Sequence, residues 1–560
     1  MFKKTDPNPQ LDIFTAPSMQ LGSRASKKYS DPNAWHNQFY SLVTTKINEE
    51  IFKPLFPEGK KCGRPNASIR ILVAMSALKE GFGCSDEDLF EKCEFDLLTR
   101  KALGMELLTD VTPSIDTYYL FRRRICEYQE RTGIDLMQLC FEQLAGNQVR
   151  LLKISGKCVR MDSKLIGSNI ARQSRYELIH TTLVKFLKTC TLSDLSPEQE
   201  ERAKEYLKED SSKTVYRSDS DTLQSNLARI GNFIMEMLAT FPATSPAHDL
   251  LQRLFDEQYA VKDGKAVLRD KKEVKADSLQ NPNDPDATYR AKNDQKVQGY
   301  VTNITETVEE GKPNIITSVQ VETAVFADCH FLQEAVENSE RVTDSTIEDL
   351  YADGVYQSPD NREFAKNHNA MQLKTGKMQG GCRWELIPHD EDGLTIREIA
   401  TGNTYEAVKA VTKQGSRKRW RIPWNNKTGW RYFEDKDIKA YQLRKQIESL
   451  PLEELHKRNN VEAAMFQYSF HTRKGKTRYR GLLKHRMHAY SRCMWMNLRR
   501  MVIFQISTFQ RSIFALFGPI REAFGSFKAI SRKIFTSGAD CYVSLRMTTL
   551  ARLDSKYVPF

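Results

Sequence analysis

No apolar run in the chain approaches the roughly 20 residues that a membrane span requires. The best candidate, around Met501 to Ile506, is bounded by Arg499, Arg500 and Arg511. The opening residues, Met1 to Pro7, have no apolar stretch of the signal-peptide kind, and an intracellular protein is the expectation. The eleven cysteines are scattered, odd in number and include no C-x-x-C pair. That pattern argues against a disulfide framework or a structural zinc site and leaves the thiols as small buried hydrophobes. What is present is a chain of 560 residues, 40% hydrophobic, long enough for two or three domains with cores of their own.

Charge is unevenly spread. From Val411 to Phe560 there are 31 Lys and Arg against 10 Asp and Glu, or +21; the first 410 residues then hold 53 against 62, or −9. A basic C-terminal third on a mildly acidic body is the footprint of a polyanion partner, of which nucleic acid is the commonest.

Residues 1–34 read as an arm rich in Pro, Ser and Lys, and 35–148 as an all-helical domain for DNA binding or oligomerisation. Within it, Asn66 can cap a helix from Ser68 to Leu78 that ends at Gly81-Phe82-Gly83, and Ser85 starts another with acids in its first turn. Thr112-Pro113 opens a third bearing Arg122, Arg123 and Arg124. Helix, glycine turn, helix has helix-turn-helix spacing, which many small bundles share. From Gly156 the texture changes. Cys158 to Asp162 alternates with period two, and Val297 to Ile304 and Ile315 to Val319 are β-rich runs. Asp349 to Asp353 reads as a strand broken by Gly354, Ser358-Pro359 opens a helix, and the chain is helical again from about Tyr441. Strands alternating with helices after a helical head indicate an α/β core, at 149–500, with a helical insertion at about 173–272 and a β-rich one at about 377–440. A helical tail, 501–560, follows.

Asp162 and Asp353 each stand at the end of a β-patterned run, where side chains of an α/β sheet project into the crevice that gathers ligands. Two such carboxylates suit Mg²⁺, and a third from a helix would complete a two-ion site. Glu462 is the candidate, because between Lys457 and Arg500 it is the one acid among 12 basic residues. Taken singly, an Asp before Gly is an ordinary turn former and a helical Glu an ordinary salt-bridge partner. Their joint arrangement is what points to chemistry. Arg419, Trp420, Arg421 and Trp424 interleave cations with rings, a pattern that neutralises phosphates and stacks on unpaired bases, or else packs one aromatic face on a core. His485 and His488 read as surface residues, and Asp284, Asp286, Asp344, Glu348 and Asp360 as turn or cap residues.

The order Asp162 … Asp353 … Glu462, with Ala352-Asp353-Gly354-Val355-Tyr356 and Arg458-Asn459-Asn460-Val461-Glu462, resembles the DDE transposases of bacterial insertion sequences. The stretch from Pro65 to about Leu144 and the segment Ser278 to Arg290 are similar to one branch of that family. The resemblance implies a ribonuclease-H-like mixed-sheet core, with the first Asp on the first strand, the second on the fourth and the Glu on a following helix. Those roles fall on Asp162, Asp353 and Glu462, holding two Mg²⁺ ions for which Mn²⁺ can substitute. It further implies binding of terminal inverted repeats, strand cleavage and strand transfer to target DNA, by a homodimer or larger assembly in the nucleoid. The signature is incomplete: Leu455 stands where many relatives have Tyr, and Ser469 where they have a cation, for which Arg473, Lys474 or Lys476 are the substitutes, beside Arg458. Two alternatives remain, a structure-selective nuclease or resolvase on the same core, and a non-catalytic DNA-binding descendant.

Overall fold

The computed structural model describes Phe2, Lys4 and residues 17–56, 66–242, 245–292, 295–375, 382–389, 393–410, 418–424, 429–449 and 451–523. The fold is mixed α/β, in two compact units. One comprises Met1–Gly156, Ser163–Ser345 and Ala464–Phe560; the other comprises Lys157–Asp162 and Thr346–Ala463. Among the described residues no helix is long and apolar enough to cross a membrane, and every described cysteine is free.

In the first unit, helix Ile69–Phe82 is capped by Ser68, whose hydroxyl accepts from Ile71 N, and is ended by Gly83 in the left-handed region. The cap is therefore Ser68 and not Asn66, because the side chain at Ser68 reaches the third amide of the first turn. Asp86–Phe95 starts with the reciprocal Ser85–Asp88 capping box. Ile115–Thr132 and Leu136–Leu152 complete the head, capped by Ser114 and Asp135. Leu72, Met75, Leu78, Phe121, Phe141, Met494 and Leu498 share one core, so helix Leu482–Ala523 is packed into the head. A Cβ at Gly81 would stand 2.3 Å from the Trp495 ring, which fixes glycine at this crossing.

The helical insertion runs from Arg175 to Gln258 and has its own core, built on Phe186, Phe233, Ile234 and Leu254. It ends in a hairpin, β2 (Tyr259–Lys262) and β3 (Lys265–Leu268), and not in helix to 272 as its sequence suggested. Asp263-Gly264, both at positive φ, form the two-residue turn that right-twisted strands favour.

The main sheet begins with β1 (Cys158–Gly167), whose first five residues belong to the second unit and last five to the first. On the first unit's side stand β4 (Thr288–Lys292), β5 (Gln295–Thr307) and β6 (Ile316–Thr323), with β4 and β6 both antiparallel to β5. On the second unit's side, β7 (Asp349–Ala352) pairs parallel with β1, and β8 (Gln372–Thr375) parallel with β7. The strand order is β4-β5-β1-β7-β8, with β6 on β5. The second unit also holds a five-stranded antiparallel sheet of β9 (Trp384–Pro388), β10 (Leu394–Glu398), β11 (Thr404–Ala410), β12 (Arg419–Trp424) and β13 (Gly429–Glu434). Helices Asp435–Glu448 and Leu452–Ser469 follow.

Candidate active site

The parallel register of β1 and β7 pairs Cys158 with Asp349, Val159 with Leu350 and Arg160 with Tyr351. Two more residues along each chain bring Asp162 level with Asp353; β1 runs on to Gly167, so Asp162 stands midway along its strand and not at its end as its alternation suggested, while Asp353 follows the last residue of β7. Because side chains alternate, Cys158, Arg160 and Asp162 share one face with Asp349, Tyr351 and Asp353, while the buried Val159, Met161, Leu350 and Ala352 fill the other. Both aspartates are half-buried, and Asp353 Oδ1 accepts from Gly354 N at 2.7 Å.

Helix Leu452–Ser469 runs along the face that carries these carboxylates. Arg160 donates to the carbonyl of Lys457 at 2.7 Å, and Lys164 donates to the carbonyl of Met465 at 3.4 Å. Four strand residues cover about 13 Å and eight helical residues about 12 Å, so strand and helix keep step. Asp162, midway, falls abreast of residue 461, and Glu462 is the next residue, exposed at the border of the buried stripe Val461, Ala464, Met465 and Tyr468. The structure thus puts all three acids on neighbouring elements of the second unit. It does not close them around one point: among the described residues, no group of three His, Cys, Asp or Glu side chains is arranged to hold a metal ion.

The helix start is tied down by a network that the sequence reading missed. Glu454 is joined to Lys457 at 2.6 Å and to Lys374 at 3.4 Å, and the Tyr351 hydroxyl donates to it; Lys374 also reaches Asp349 at 2.9 Å. Hydrogen bonds from Lys457 and Tyr351, helped by the charge of Lys374, hold the Glu454 carboxyl down to about 2. The one available signal was the i,i+3 spacing of Glu454 and Lys457.

Burial raises the Cys158 thiol to about 11, which removes it as a nucleophile near neutral pH.

The DNA-binding candidates fall into three places. The side chains of Arg458 and Trp424 lie outside the described residues. Arg473 and Lys474 are exposed on a tight turn with Lys474 and Gly475 at positive φ, while Lys476 turns back to the carbonyl of Ile170 at 2.6 Å. The ammonium beside Ser469 comes from Lys164, at 2.7 Å from its hydroxyl, and not from that turn. On β12, Trp420 is 4% exposed in a core with Trp384, Ile422 and Phe433, so its ring packs inward. Arg419 and Arg421 point to the opposite face, their guanidinium carbons 4.1 Å from the Tyr432 ring and 4.2 Å from the Trp430 ring. Trp430 at 49% and Tyr432 at 40% exposure are the open rings.

The histidines read as surface residues are in fact buried, because helix Leu482–Ala523 is covered on nearly all sides at this level. His485 lies between Thr477 Oγ1 and the carbonyl of Gly481, and burial lowers it to about 4. A carbonyl can only accept, so Nδ1 donates to Gly481 and Nε2 accepts from Thr477. His488 contacts Glu80 at 2.7 Å. Asp284, read as a turn residue, is fully buried and accepts from Ser168 and Tyr300, and Asp286 accepts from Leu482 N at the start of the long helix. In the head, Arg122 lies over the rings of Tyr118 and Tyr479, so Arg122, Arg123 and Arg124 do not form one open basic face.

Residues 28–124 match the family model of a transposase domain (DUF772). The match supports a transposase family. No curated protein and no solved structure matches the chain. The matched stretch includes helix Ile69–Phe82, with Glu80 and Gly81, and extends into the helix that carries Arg122.

Proposed function

We propose that the chain is a DDE-type transposase that cuts and rejoins DNA on a ribonuclease-H-like core, with Asp162, Asp353 and Glu462 as its catalytic carboxylates. The observation that carries this reading is the register that brings Asp162, midway along β1, level with Asp353, just past the end of the parallel neighbour β7. Strand ends of an α/β sheet are where such groups act. The strand order supports the same reading: with the hairpin of the insertion and edge strand β4 set aside, Asp162 is on the first strand, Asp353 follows the fourth, and Glu462 is on a later helix.

The donor set is all carboxylate oxygen, which fits Mg²⁺, with Mn²⁺ able to substitute. Two such ions would activate the attacking water or 3′-hydroxyl and stabilise the leaving oxygen. Drawing the three side chains together is left to the complex with DNA. Arg160 and Glu454 hold the start of helix Leu452–Ser469 against β1 and β7. Arg419, Arg421, Arg473 and Lys474, with Arg458, Lys476, Trp420 and Trp424 near them in sequence, belong to the elements that would follow the DNA, at element ends and target. The assembly would be a dimer or larger.

The test is nicking and joining of a plasmid that carries the DNA flanking this gene. Asp162→Asn, Asp353→Asn and Glu462→Gln should each lower Mg²⁺-dependent cleavage by at least about a thousandfold, or ~4 kcal/mol of barrier, with DNA affinity changed only a few-fold. Near-normal cleavage by any one variant removes that residue from the site.

A further inference from the structure

A cleft of about 640 Å³ opens in the second unit immediately after Asp353. One wall is the segment that follows β7, with Gly354 and Arg362; the other is helix Asp435–Glu448, which presents Lys436, Lys439 and Leu443. These three recur at the three- and four-residue spacing of a single helix face, while Ile438 and Tyr441 of the same helix pack on the sheet behind. Lys418 adds a fourth cation, against Glu434 and Asp435. Glu434 is engaged by Lys436 at 3.0 Å and by Arg419 at 3.8 Å. Arg362 and Lys439 are exposed, and neither makes an ion pair with a described residue.

The lining holds no aromatic ring, and its charged side chains are four cations against two acids. It has no ring on which a base could stack. It offers cations along an open groove, the complement of phosphates spaced along a backbone. We infer that this cleft seats the phosphodiester backbone of a DNA strand next to Asp353, with Arg362 and Lys439 as two phosphate contacts that are indifferent to sequence. The inference rests on the proposed DNA substrate, but not on the metal chemistry. It also separates two kinds of contact in the second unit, backbone alone in the cleft and backbone with rings on the outer face of β12 and β13.

The experiment is a salt titration of duplex binding by the full chain, with divalent metal removed and two unrelated duplex sequences as probes. Each phosphate contact contributes about 0.9 to the slope of log affinity against log salt, so Arg362→Gln/Lys439→Gln should lower the slope by about 1.8 on both sequences. The control pair Lys271→Gln/Lys272→Gln, exposed on the turn that follows β3, should leave it unchanged. An unchanged slope, a loss confined to one sequence, or an equal loss in the control pair overturns the inference. If the wild type binds with the expected slope and never cuts DNA, the proposed catalysis fails and the cleft stands. If it cuts DNA and the double variant keeps its slope, the cleft fails and the catalysis stands.

Discussion

Two carboxylate sites in this chain are built in opposite ways. At the end of helix Ile69–Phe82, Glu80 is 12% exposed and surrounded by partners: His488 at 2.7 Å, the hydroxyl of Tyr479, and the charge of Lys79. Burial alone would raise its carboxyl, but His488, Lys79 and Tyr479 outweigh it and hold the group at about 2. Midway along β1 and just past the end of β7, Asp162 and Asp353 are half-buried and set side by side with like charge by the strand register. The first arrangement joins the head to the long C-terminal helix inside one unit and leaves no room for a ligand. The second has no structural reason to gather acids. Surrounded and matched charge reads as scaffold, and the proposed site rests on like charge set side by side by a strand register.

The sharpest way to break this comparison is through stability. Glu80→Gln removes the carboxylate that His488 and Tyr479 share, and a broken buried pair costs ~3–5 kcal/mol. Urea unfolding should show a loss of that size. Asp353→Asn, which keeps the oxygen that accepts from Gly354, should change stability by less than about 1 kcal/mol, in either direction. Equal losses from the two substitutions would erase the distinction.

A smaller effect divides the β-rich insertion. Trp420→Ala empties a core position and should cost ~3 kcal/mol, seen as early loss of the insertion in limited proteolysis. Trp430→Ala should leave stability within about 0.5 kcal/mol. If its ring stacks on an unpaired base, single-strand affinity should fall by ~1–3 kcal/mol instead. Loss of stability from both, or of DNA affinity from Trp420→Ala alone, would invert the assignment of the two faces.

Acid should act on the scaffold in two steps. The folded pKa of His485, about 4, is below its ordinary 6.5, so folding favours the neutral ring. That contribution is complete above pH 6.5 and is lost as pH falls toward 4. The folded pKa of Glu80, about 2, is below its ordinary 4.5, so its contribution is complete above pH 4.5 and is lost between there and pH 2. Unfolding free energies measured from pH 7 to 3 should decline first through the upper window, by on the order of 1–3 kcal/mol. His485→Gln should shrink that upper step and leave the parts contributed by His36 and His180, whose rings burial also lowers.

Local chemistry was readable in the sequence. The helix begun by Ser85, the strand ending before Asp353 and the helix opened by Pro359 all depend on residues within a few positions of one another. Long-range partners were not. Glu80 and His488 are 408 residues apart, and nothing in the spacing of His485 and His488 reveals that their helix is covered on nearly all sides. The level placement of Asp162 and Asp353 depends on a parallel pairing across a helical insertion, which the alternation of either strand alone cannot specify. Trp420 was within reach: Arg419-Trp420-Arg421-Ile422 alternates with period two, and strand parity assigns Trp and Ile to one face and both Arg to the other. Reading the stretch as a single basic-aromatic cluster hid that parity.

The central claim is that Asp162, Asp353 and Glu462 hold divalent metal together, and protein self-cleavage tests it without any DNA. Fe²⁺ loaded in place of Mg²⁺, with ascorbate and peroxide, cuts the polypeptide beside the bound ion. The account expects cuts near residues 162, 353 and 462, suppressed together by excess Mg²⁺ and lost together in Asp353→Asn. Cuts elsewhere, or cuts at these places that ignore both Mg²⁺ and the substitution, would contradict it.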